Sequence, residues 1–128
     1  MAIAAIQTLL DLYTLQESSL TDQMSDISMD ITLASRQMSQ LAQKTSDKKT
    51  EVKTKYDSSD DEYKEEMDDI QDEYDMKLSE IQAWETELET KKDNLKVELE
   101  AIQNYKESYT SIQKKNIQND FKYGQGAS

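Results

Sequence analysis

Residues 57–75, DSSDDEYKEEMDDIQDEYD, are the richest carboxylate stretch of the chain and the first place to look for chemistry. A calcium loop of the EF-hand type needs spaced oxygen ligands, a glycine at its sixth position and a glutamate at its twelfth. Counted from Asp57, those positions hold Glu62 and Asp68, so the loop fails. Di-iron helical bundles use Glu-x-x-His pairs, and the chain has no histidine. The stretch reads as a solvated helix face, with at most loose surface binding of divalent cations.

The missing residue types narrow the chemistry further. With neither His nor Cys, no Ser–His–Asp or Cys–His set can be assembled. No glycine-rich phosphate loop is present, because both glycines, Gly124 and Gly126, lie at the C-terminal end. Carboxylate pairs abound, but no concave scaffold is evident to desolvate them. The expectation is a protein with no enzymatic activity, no cofactor and no bound metal. Seven tyrosines and one tryptophan suggest a binding platform at first sight. Tyr56, Tyr63, Tyr74, Trp84, Tyr105 and Tyr109 fall on a helical seam, however, where packing accounts for them. Met24, Met38 and Met67 are seam fillers of the same kind. A net charge of −12 and a pI of about 4.4 argue against nucleic acid or an anionic membrane surface as partner.

Long helices are the elements that must carry these residues. Proline is absent, glycine is confined to the end, and mean hydropathy is −0.93, so the chain lacks the residues turns draw on. Positions 3, 6, 10, 13, 17, 20, 24, 27, 31, 34, 38 and 41 hold Ile3, Ile6, Leu10, Tyr13, Glu17, Leu20, Met24, Ile27, Ile31, Ala34, Met38 and Leu41. Only Glu17 breaks this heptad row. A second row runs at intervals of seven through Met67, Tyr74, Ile81, Leu88, Leu95, Ile102 and Tyr109. Its partner row carries Ile70, Trp84, Tyr105 and Ile112, with Leu78 and Leu99 one place later. The expected class is all-α: two long amphipathic helices folded as an antiparallel hairpin or coiled coil, assembling into a larger bundle or filament.

The expected boundaries are an N-terminal assembly helix over 1–44, a polar connector over 45–59 into which helix could persist because no glycine marks it, a long helix over 60–119 and a flexible tail over 120–128. Ser59 and Glu62 suit a capping box at the start of the second helix. The stretch TKKDN (90–94), where the seam thins, is the place for a bend, and Gly124 is placed to stop the helix. With these bounds the second helix outruns the first by roughly 30 Å. Its overhang would need cover from another subunit or a fold-back.

The opening segment MAIAAIQTLLDLYTL is apolar around most of its circumference. It does not suit a secretory signal, since no Lys or Arg precedes Arg36 and Asp11 interrupts the run. It is also too short to span a membrane. It reads as a self-assembly surface built from Ile3, Ile6, Leu9, Leu10, Leu12, Tyr13 and Leu15. Residues 59–76 carry ten acids and one lysine, whereas residues 101–128 carry four lysines and two acids. A basic end of one copy could therefore meet the acidic middle of another.

With IAAIQTLLDLYTL, the seam to Leu41 and the C-terminal ELEAIQNYKESYTSIQKKNIQNDFKYG, the chain resembles small, Cys-free, all-helical bacterial subunits exported by flagellar or type III-type machinery. The resemblance is to the architecture of filament, needle and translocator-like subunits. It implies export without a cleaved signal, a place outside the cell or on its surface, an export chaperone and self-assembly. The proline-containing turn of needle subunits is absent. Trp84 is followed by Glu85 and Thr86 rather than the W-x-G of type VII hairpins. The leading expectation is a self-assembling coiled-coil structural subunit whose partner is itself. The alternative is a cytoplasmic coiled-coil adaptor or chaperone that binds one helical partner protein.

Overall fold

The computed structural model describes residues 3–126. Two long helices, α1 (Ile3–Lys55, 53 residues) and α2 (Asp61–Gly126, 66 residues), pack against each other, with no strand among the described residues. The fold is an all-α helical hairpin. The chain divides into two compact units, to each of which both helices contribute. One combines the described residues up to Asp26 with those from Lys92 onward; the other is Ile27–Lys91 and contains the turn.

α1 holds its heptad row as far as Thr45 and then takes an extra four-residue step to Lys49. Ile6, Leu10, Leu20 and Ala34 are buried, while Ile3, Tyr13, Glu17, Met24, Ile27, Ile31, Met38 and Leu41 are half-buried. The row then continues through Thr45, Lys49, Val52 and Tyr56, of which Thr45 and Val52 are buried. Residues 45–55 are thus the last three turns of a helix, and the polar connector expected over 45–59 shrinks to residues 56–60. The seam overrode the polar composition: one seam residue per turn is enough to dock a helix, and the threonine hydroxyls stay satisfied, at a small cost, on their own helix. Thr50 Oγ1 donates to Ser46 O (3.0 Å) and Thr54 Oγ1 to Thr50 O (2.8 Å).

The turn differs from the expected Ser59–Glu62 box. Asp60 holds the N-cap position: its carbonyl accepts from the Lys64 amide at 3.4 Å. Its carboxylate accepts from the Asp57 amide at 3.2 Å. The short connector also changes the register. Gln113 Nε2 donates to Gln7 Oε1 at 2.9 Å, so the end of α1 lies beside residues that the expected boundaries left as an uncovered overhang. α2 continues as helix through residues 90–94 and through Gly124 to Gly126, and no glycine there adopts positive φ. Most of the expected tail is therefore helical; residues 127 and 128 lie outside the described residues.

On α2 the row Met67, Tyr74, Ile81, Leu88, Leu95, Ile102 and Tyr109 is buried or half-buried, and it extends to Asn116. The partner row moves. It begins on Tyr63 and Ile70, steps past exposed Lys77 to Leu78, and proceeds through Glu85, Lys92, Leu99, Lys106 and Gln113. An α-helix drifts about 20° per heptad against a strict seven-residue repeat. One four-residue step in place of three takes up that drift. Trp84 is left half-buried beside the seam, and Tyr105 and Ile112, expected in it, are 55% and 42% exposed.

Candidate interaction surface

The opening segment is split by its own helix geometry. Ile6 and Leu10 are fully or almost fully covered within the chain, and Ile3, Leu9 and Tyr13 are half-buried. These residues, placed by sequence on an assembly surface, chiefly line the intramolecular seam. Leu12 and Leu15 remain, 50% and 68% exposed. They occupy the outer side of α1 because the three- and four-residue steps of the seam pass them by. α2 adds exposed Tyr105, Ile112, Ile117 and Phe121 in the same unit. In the other unit the exposed large apolar residues are Met29, Leu33 and Met76.

Tyr105 leaves the seam yet stays ordered by it. Its ring stacks on Tyr13 with centroids 6.1 Å apart, and Tyr13 also stacks on Tyr109 at 5.9 Å. Such pairs are worth about 0.5–1.5 kcal/mol beyond area burial. By helix periodicity Leu9 and Leu12 fall on the flank of α1 toward which Tyr13 stacks on Tyr105, the same side as Ile112, so the four share one side of this unit as an apolar strip.

Beside the strip, the seam contains charge. Glu17, the residue that broke the row in sequence, faces Lys106 across it, with Nζ 3.1 Å from Oε1. The ammonium lies off line for a hydrogen bond, so this buried oxygen has charge compensation without one. Glu85 Oε2, in the other unit, is buried with no hydrogen-bond partner. A polar pair at opposed seam positions fixes register at a cost in stability. Neither residue was assigned a role from sequence. The signal was available only as the lone interruption at Glu17 and a lysine at position 106.

In the turn-containing unit, polar contacts flank the apolar seam. Lys48 and Lys77 both reach Glu73, at 3.7 Å and 2.7 Å. The hydrogen bond from Lys77, then the charge of Lys48, hold the Glu73 carboxyl below its ordinary value. Lys49 donates to Gln71 at 2.6 Å and the Tyr56 hydroxyl to Glu66 at 3.2 Å. The Lys55 ammonium sits 5.1 Å from the Tyr56 ring centre, and interaction with Tyr56 raises its pKa. The grooves in this unit are open and mixed in character. One of about 380 Å³ is lined by Gln37, Gln40, Leu41, Lys44, Lys77, Glu80 and Ile81. Among the described residues, no three His, Cys, Asp or Glu are placed to hold a metal ion. No helix among them is long and apolar enough to cross a membrane.

In comparisons with known proteins, no family model, no curated protein and no solved structure matches this chain.

Proposed function

We propose that this chain is a non-enzymatic structural protein, a coiled-coil subunit that associates with further copies of itself through the unit containing its N-terminal segment. One observation carries the reading. Leu12 stands exposed on a helix whose seam is already satisfied, on the same flank as exposed Tyr105 and Ile112, and Leu15 is exposed on the outer face of that helix. Helix propensity and hairpin packing do not require these side chains, and each leucine covered by a neighbour gains about 1.5–3 kcal/mol. Extended apolar patches on soluble proteins mark interaction sites. The proposal retains the filament or appendage subunit, exported without a cleaved signal, as the setting in which such a surface would serve.

Light scattering across a concentration series tests it. The unaltered protein is expected to grow in mass with concentration, and the double variant L12D/L15D to remain a single copy with unchanged helical circular dichroism. An unaltered chain that stays monomeric throughout, or a variant that associates as before, would remove the proposal. Because both leucines are solvent-exposed, the variant tests association rather than folding.

A further inference from the structure

The apolar strip belongs to a longer flank with an unusual charge pattern. Along α1 this flank carries Ala5, Leu9, Leu12, Gln16, Ser19 and Gln23, and the next position is Asp26. Along α2 it carries Ala101, Tyr105, Ser108 and Ile112, bounded by Glu98 on one side and Lys115 on the other. Between those bounds no side chain on the flank is charged. The opposite flank of the same unit carries Asp11, Asp93, Lys96, Glu100, Glu107 and Lys114. One third of all residues in this chain are charged, so an uncharged stretch about 25 Å long on one side only calls for a cause. Loss of charge, with tyrosine at the centre, is the compositional mark of an interface core.

The ends of the flank identify its occupant. The Lys115 end is positive; the Asp26 and Glu98 end is negative. On this ground, which rests on the self-association proposed above, we infer that the flank docks a second copy of the same chain in antiparallel orientation, forming a four-helix bundle. A two-fold axis near Tyr105 and Ser108 lays apolar strip on apolar strip. It sets Lys115 of each copy against Asp26 and Glu98 of the other, twice by symmetry. A parallel pair would set lysine on lysine and carboxylate on carboxylate. Docking by this flank also leaves the seam pair Glu17–Lys106 undisturbed, since the contact is made beside the seam.

The absence of cysteine permits a direct test. The single variants E98C and K115C are oxidised separately and as a mixture, with mass measured by light scattering beside each. The mixture is expected to form a 98–115 disulfide between copies, while each variant alone forms none. In parallel, K115E is expected to weaken association about three- to tenfold, and E98K in the K115E background to restore it. Self-linking of K115C alone would show parallel packing and overturn the antiparallel arrangement, while leaving self-association standing. An unaltered protein that stays single at every concentration would overturn both readings and leave the flank to a different occupant.

Discussion

At the scale of single residues, the seam holds charge both without a partner, at Glu85, and as a pair, and the pairing gives Glu17 and Lys106 opposite roles alone and together. Both are largely shielded, with side-chain exposures of 24% and 35%. Lys106→Ala leaves the Glu17 carboxylate facing an apolar seam without compensation. A loss of about 1–2 kcal/mol is expected, reduced from the fully buried case by residual hydration. Replacing both, as E17L/K106L, removes the desolvation cost and fills the row. Its thermal midpoint should lie above that of the unaltered protein, read by circular dichroism melts. A double variant less stable than the unaltered protein would mean that the pair contributes net stability. Glu73 gives a second residue-scale expectation. Its carboxyl is held below the ordinary 4.5 by the Lys77 hydrogen bond and then by Lys48. A depressed carboxyl contributes stability that is present above the unfolded-state pKa and is lost as pH falls through the lower folded-state pKa. Carbon-detected titration by NMR should therefore place Glu73 below the ordinary glutamate value, and Lys77→Ala should bring it back up toward that value.

At the scale of elements, the difference between the expected and observed helix ends is a difference in what composition and periodicity report. The seam of α1 was legible to Leu41 because each position is large and apolar. It was not legible beyond, since Thr45, Lys49 and Tyr56 are not residues a hydrophobic count rewards, and Val52 stands alone among polar neighbours. Thr45 and Val52 nevertheless keep the heptad spacing, while Lys49 and Tyr56 fall one place after it, a four-residue step like the one on α2. The row Met67 to Tyr109 on α2 was equally plain. Its partner row was only partly legible: Leu78 and Leu99 fall one place late in the sequence, but Trp84, Tyr105 and Ile112 keep the strict seven-residue spacing, which the step at Leu78 shifts for the rest of the helix. That is why Tyr105 and Ile112 were placed in the seam and stand outside it. The candidate surface was half legible: the excess apolar residues were evident, but which of them α2 covers depended on the connector length. A measurement at this scale follows. Amides of residues 46–54 should exchange with deuterium as slowly as those of the neighbouring α1 turns, and Val52→Asp should open that stretch selectively. Fast exchange there in the unaltered protein would restore the polar connector.

At the scale of the whole molecule, charge is divided unevenly between the two units. Residues 1–26 with 92–128 carry nine acids and six lysines, net −3, while residues 27–91 account for the other −9. The surface proposed for association lies in the less charged unit, yet each copy brings its full −12 to any encounter. Two electrostatic effects then oppose each other. Repulsion between whole chains acts over distances that salt screens, with a Debye length of about 10 Å at 0.1 M. The proposed Lys115 contacts to Asp26 and Glu98 of a second copy are few and exposed, and each would be worth at most about 1 kcal/mol. Screening should relieve more repulsion than it costs in attraction, and the apolar strip is indifferent to it. Association should thus tighten as sodium chloride is raised from about 20 mM to about 500 mM, by roughly two- to tenfold, and level off once the Debye length falls below about 5 Å. Sedimentation velocity across that series reads the effect. Association that weakens steadily with salt would place its driving force in charge pairs, and the apolar strip of Leu9, Leu12, Tyr105 and Ile112 would lose its part in assembly.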